Sequence, residues 1–139
     1  MDIKNPIPIV KIGDPYIINY KDSYYLYATS DMNGYYCWKS ENLCDWSEPW
    51  ICFQPTERCF GNSCFWAPEV YEFDGKFYMY YTARWKIYEE EQLRIGIAVA
   101  DKPEGPFIKY KDNPILCANG QISGLGHNSV VADNEGNLY

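Results

Sequence analysis

Basic residues are in the minority in this chain: 12 Lys and Arg stand against 19 Asp and Glu, for a formal charge of −7. No run of Lys or Arg occurs. A surface that follows phosphates needs the opposite sign, so neither nucleic acid nor an anionic membrane is an expected partner. No stretch approaches the roughly 18 apolar residues of a membrane span. The opening, Met1-Asp2-Ile3-Lys4-Asn5-Pro6, carries no basic or apolar leader, so no signal peptide is expected. A single histidine, and six cysteines (Cys37, Cys44, Cys52, Cys59, Cys64, Cys117) without a C-x-x-C pair, argue against zinc. Reduced cysteines packed as small hydrophobes in a cytoplasmic protein are expected, with Cys59–Cys64 a bridge only in an exported one. Helix-prone sequence is scarce as well. Only Tyr88 to Leu93 qualifies, and its glutamates make it a solvated loop tip.

What the chain has in excess is aromatic side chains: 18% of residues, with 14 Tyr and 5 Trp. Such residues suit pleated, half-buried surfaces and point to an all-β fold. At 139 residues the chain is long enough for one domain with a real core. It also repeats itself. Asp14-Pro15-Tyr16-Ile17-Ile18-Asn19-Tyr20 leads through Lys21-Asp22-Ser23 into Tyr24-Tyr25-Leu26-Tyr27-Ala28-Thr29. Ala67-Pro68-Glu69-Val70-Tyr71-Glu72-Phe73 leads through Asp74-Gly75-Lys76 into Phe77-Tyr78-Met79-Tyr80-Tyr81-Thr82. Each is a hairpin, the second with a strong Asp-Gly turn signal. A third copy opens at His127-Asn128-Ser129-Val130-Val131. Its turn is one residue longer, so either His127 or Asn128 matches Asp14.

Further strands lie between the hairpins, at Gly34–Ser40 and Arg94–Ala100, each followed by a turn carrying an aromatic plug. Units of some 50 to 60 residues with three or four antiparallel strands have the size of a propeller blade. Residues 1–139 therefore read as a partial β-propeller, with repeat starts near 14, 67 and 127. Two blades and the start of a third cannot close, because propellers need about four to eight. Open blade faces imply either a missing C-terminal half or self-association to cover them.

The motifs now assembled resemble glycoside hydrolase family 43. Ile12-Gly13-Asp14-Pro15-Tyr16 with Tyr24–Ser30 is similar to that family's opening blade. Phe65-Trp66-Ala67-Pro68-Glu69-Val70 with Gly75–Tyr81 is similar to its second, and Ile95–Ala100 through Pro103-Glu104-Gly105-Pro106-Phe107 to its recurrent strand and turn. Asn113–Leu116 with Gly126-His127-Asn128-Ser129-Val130 resembles a segment usually found later in the family. The resemblance implies a five-bladed propeller of about twice this length. It implies an inverting hydrolase of arabinose- or xylose-containing oligosaccharides that requires no cofactor. The family's three carboxylates are a base Asp in blade one, a tuning Asp in blade three and an acid Glu after it.

Asp14 matches the base. Glu69 is a second catalytic candidate, as acid or substrate contact. Glu104-Gly105-Pro106 has the acid's usual triplet but comes after the Ile95–Ala100 strand, where the family has a noncatalytic residue. His127 or Asn128 replaces the third-blade Asp, which leaves a non-catalytic, glycan-binding propeller as the alternative reading. Trp66 and Phe65 present flat apolar faces either to a sugar ring or to the blade interface. His127 is both a substrate-contact candidate and, by the resemblance, the residue nearest a possible calcium at the propeller centre.

Overall fold

The computed structural model describes residues 7–9, 11–30, 34–56, 60–87, 90–119 and 121–139. Cys59 lies outside them, while Cys64 is buried and free. Eight strands form two antiparallel sheets of four. β1 (Gly13–Tyr20), β2 (Ser23–Thr29), β3 (Tyr35–Ser40) and β4 (Trp50–Phe53) pair in sequence order to make the first. β5 (Ser63–Phe73), β6 (Lys76–Ile87), β7 (Glu90–Ala100) and β8 (Ile108–Lys109) make the second. Two-residue turns set the register of both inner hairpins, Tyr20 facing Ser23 and Phe73 facing Lys76. Asp74 and Gly75 hold φ of 50° and 72°. Positive φ at both central positions matches the right-handed strand twist, which is why Asp-Gly serves here.

Of the segment expected to be a loop tip, Tyr88 and Glu89 lie outside the described residues, and the part from Glu90 to Leu93 is strand. Residues 90–93 continue β7 and pair with β6 as far as Ile87 opposite Glu90. Cross-strand pairing to a long partner overrides the weak local preference of a Glu-rich stretch.

Period-two alternation divides β2 between two cores. Tyr25 and Tyr27 enter a large cluster with Tyr35, Phe53, Phe65, Phe77, Met79, Tyr81 and Phe107, which fills the space between the sheets. Leu26 and Ala28 point the other way, to Trp38 and the incoming segment at Ile7, Ile9 and Ile12. Tyr78 and Tyr80, unlike the buried Tyr25 and Tyr27 of the equivalent strand, are only half-buried. Phe77, Met79 and Tyr81 occupy the inter-sheet face of β6. Tyr78 and Tyr80 therefore line the outer face, beside Phe73 and Tyr71 at ring-centroid distances of 5.8 and 5.9 Å.

Polar bonds lock the two sheets side by side as neighbouring wedges. The Tyr27 hydroxyl donates to the Pro103 carbonyl at 2.7 Å, and Tyr35 donates to the Trp66 carbonyl at 3.0 Å. The Phe107 amide donates to the Cys52 carbonyl at 2.8 Å. Burial, aided by the Glu104 carboxylate, pushes the Tyr25 phenol up to about 12, and burial also raises Tyr27 and Tyr35. The folded state thus holds these protons more tightly than the unfolded chain, whose phenols ionise near pH 10. The Tyr25 contribution is complete below about pH 10 and is lost as the pH climbs through about 12. The more strongly raised Tyr27 and Tyr35 add to the decline above about pH 10. Urea midpoints measured from pH 9 to 12 should decline steeply over that window, and a flat profile would contradict this burial.

Candidate active site at the inner strand starts

The first strand of each hairpin does not begin regularly. Gly13 faces Thr29 and Tyr16 faces Tyr27, so one extra residue is accommodated in β1 between these pairs. Trp66 facing Thr82 and Glu69 facing Tyr80 repeat the same bulge in β5. Pro15 and Pro68 suit such a place because a bulge releases the ladder amide that proline lacks. The residue before each proline is left-handed: Asp14 at φ 47° and Ala67 at φ 46°. His127 adopts φ 52°, so it, and not Asn128, is the third equivalent of Asp14. A second left-handed residue precedes each by three positions, Lys11 at 61°, Cys64 at 53° and Gly124 at 66°. Three matching backbone signatures define three blade starts.

A threonine ties each of the second and third starts to the preceding blade. Thr29 Oγ1 accepts the Ala67 amide at 2.8 Å, and Thr82 Oγ1 accepts the His127 amide at 2.8 Å. Neither threonine was expected to matter. The signal lay in the sequence, since each closes the aromatic strand at the same offset from its blade start.

These anchors bring Asp14, Glu69 and His127 together. His127 Nδ1 lies 4.0 Å from Asp14 Oδ1, and His127 Nε2 lies 3.9 Å from Glu69 Oε1. Asp14 also accepts a hydrogen bond from Thr29 Oγ1 at 2.8 Å through Oδ2. Glu69 accepts the Tyr71 hydroxyl through Oε2, and that hydroxyl accepts the Val130 amide at 3.0 Å. Side-chain exposure falls from 63% at His127 and 39% at Asp14 to 11% at Glu69. Burial and the adjoining Tyr71 hydroxyl, with a smaller push from Glu69, raise the Tyr16 phenol, so it stays neutral beside them.

Trp66 and Phe65, taken together in the sequence, part company in space. Trp66 is 38% exposed. Phe65 is 1% exposed and sits against Tyr35, Phe53 and Tyr81, so it offers no face to a sugar. Consecutive strand residues point to opposite faces, and the core takes Phe65.

The family model for glycosyl hydrolases family 43 matches residues 3–139. The chain belongs to this family. A curated xylosidase/arabinosidase from Bacteroides ovatus is 34% identical over 122 residues, 87% of this chain and 31% of the relative. Among solved structures, a thermostable family-43 glycoside hydrolase superposes with TM-score 0.86 at 35% identity, covering 99% of this chain and 43% of that one. An endo-arabinase from Bacteroides thetaiotaomicron superposes at TM-score 0.75 and 27% identity, covering 99% and 47%. This chain thus spans less than half the length of the relatives it matches. Structures of the family are β-propellers, and here two four-stranded blades and the opening of a third are present.

Two expectations drawn from family 43 meet the geometry differently. Glu104 sits in the turn between β7 and β8, where its carboxylate accepts the Tyr25 hydroxyl at 2.8 Å and its carbonyl accepts Trp50 Nε1 at 2.9 Å. It is built into the blade interface, in keeping with a noncatalytic place. Calcium at His127 is not supported by the donor set. Calcium takes six to eight oxygens, whereas no group of three or more His, Cys, Asp or Glu among the described residues could hold a metal. The nearest carboxylate oxygens lie against the imidazole instead.

Proposed function

We propose that this chain carries the base side of an inverting glycosidase site for arabinose- or xylose-containing oligosaccharides. The observation behind this is the placement of Asp14, part-exposed at the start of the innermost strand, one oxygen held by Thr29 and the other turned inward. In the proposed reaction Asp14 takes a proton from water as that water's oxygen bonds to the anomeric carbon. The glycosidic C–O bond breaks with its electrons, and a carboxylic acid delivers a proton to the departing oxygen. Atoms and charge balance with water alone, so no cofactor enters. Inversion requires two carboxyl groups roughly 6.5–9.5 Å apart, with room for that water between them. Two carboxylates on opposite sides of one imidazole suit such a spacing. Trp66 offers an apolar face to the sugar ring, and His127 donates to its hydroxyls.

Glu69 is the second carboxyl in reach. If it is the acid, Glu69→Gln should cost about a hundredfold in kcat/KM on an oligosaccharide and far less on a nitrophenyl glycoside, whose leaving group needs little protonation. Equal losses on both substrates would make Glu69 a sugar contact instead. Proton NMR of the first anomer released tests inversion directly, and a product of retained configuration would exclude it.

One observation favours a second reading. The third blade begins with His127 where the family places a carboxylate, as suits a glycan-binding propeller without turnover. Calorimetric binding of arabino- or xylo-oligosaccharides without hydrolysis would establish it.

A further inference from the structure

The two site carboxylates are held by the same device, although they stand on different blades and at non-equivalent positions. On one side the Ala67 amide donates to Thr29 Oγ1 at 2.8 Å, and Thr29 Oγ1 donates to Asp14 Oδ2 at 2.8 Å. On the other the Val130 amide donates to the Tyr71 hydroxyl at 3.0 Å, and that hydroxyl donates to Glu69 Oε2. In each chain the amide belongs to the blade after the one that supplies the hydroxyl. An amide that fills one lone pair of a hydroxyl leaves its proton to point at the carboxylate, and a bond to a charged acceptor is the stronger kind. The oxygens left over are Asp14 Oδ1 and Glu69 Oε1, the two that face the His127 ring.

We infer that Thr29 and Tyr71 are positioning residues. Each fixes the rotation of one carboxylate so that its free oxygen faces the site, and each makes that rotation depend on seating of the next blade. This deepens the glycosidase reading and rests on it for its catalytic consequence. The orientation itself does not. Thr82 shows the device without its load: it accepts the His127 amide as Thr29 accepts that of Ala67, but Ala67 offers no carboxylate to receive its proton.

The test uses Thr29→Val, Thr29→Ser and Tyr71→Phe in the full chain. Losing a hydrogen bond to a charged group should lower kcat/KM on a nitrophenyl arabinofuranoside or xyloside about tenfold to a hundredfold in the Val and Phe variants. The loss should fall on kcat with KM little changed, and Thr29→Ser should recover most of it. His127 is the only histidine, so its ring protons give one assignable set of NMR signals. Those signals should move in the Val and Phe variants and stay in place in Thr29→Ser. Thr29→Val also strips the Ala67 amide of its acceptor. If that variant does not fold, Tyr71→Phe decides, since Val130 is only half-buried and water can serve its amide. Unmoved ring signals, or unchanged kinetics in an active parent, would overturn the inference. If the parent binds sugar without turning it over, the hydrolase reading falls, and the ring signals alone decide on positioning.

Discussion

Asp14→Asn should lower kcat/KM for nitrophenyl glycosides by about a thousandfold while leaving the fold intact, the scale at which a removed general base acts. The two halves of this expectation have separate physical causes. Asparagine retains an oxygen able to accept from Thr29 Oγ1, which is 2.8 Å from Asp14 Oδ2. It is also among the residues that best tolerate the left-handed region, where position 14 lies at φ 47°. The melting transition should therefore stay close to that of the parent. What asparagine cannot do is take a proton from water. A variant that melts like the parent and turns over at the parent rate would remove Asp14 from the chemistry. A parent that binds oligosaccharide as tightly as the variant, with neither hydrolysing it, would instead mark a binding module.

The blade pattern is open to reading because it is written at two scales. Alternation within Tyr24–Thr29 and Phe77–Thr82 marks aromatic strands, and the recurrence of the hairpin marks the blades. The bulges are not readable in the same way. A bulge adds a residue to one strand, so strict alternation misplaces every later residue of that strand. Counting two residues on from Ala67 reaches Glu69, yet the register pairs it with Tyr80, as Tyr16 pairs with Tyr27. The choice between His127 and Asn128 is equally closed to the sequence, since it rests on backbone dihedrals. Phe65 and Trp66 have similar chemistry, and only burial tells the core residue from the exposed one. Tyr71 gives no sign of its role, because an aromatic in a strand is by default a packing residue. Its hydroxyl matters through Glu69, two residues away on the same strand, and through Val130, which is remote in sequence.

Gly34→Ala should be the most damaging small change to the first blade. Gly34 precedes β3 with φ 133°, a conformation that residues with a Cβ rarely adopt. An added methyl would stand 2.1 Å from the Phe53 carbonyl oxygen and 3.2 Å from the Pro55 ring. The obstacle is backbone, and that backbone is pinned. Phe53 pairs with Tyr35 across the irregular end of the β3–β4 ladder, and its buried ring packs 5.1 Å from that of Tyr81 in the neighbouring blade. Relief therefore requires β4 to move away from β3 or the chain to leave its left-handed bend, and either shift disturbs the inter-blade core. Strain of this kind costs about 1–3 kcal/mol before any displacement of packed atoms, against a total stability of about 5–15 kcal/mol for a typical domain. A loss of about 4 kcal/mol is expected, or a melting point lower by roughly 10–15 °C. Thermal denaturation followed by near-ultraviolet dichroism measures it, since the aromatic cluster supplies the signal. By contrast Gly75→Ala, with open space at its Cβ, carries only the penalty of its φ of 72°. A Gly34→Ala variant that melts no lower than Gly75→Ala would show that β4 can yield. Tyr35 hydrogen-bonds to the Trp66 carbonyl beside the second blade start, so the seating of that blade on the first would then be looser than its contacts imply.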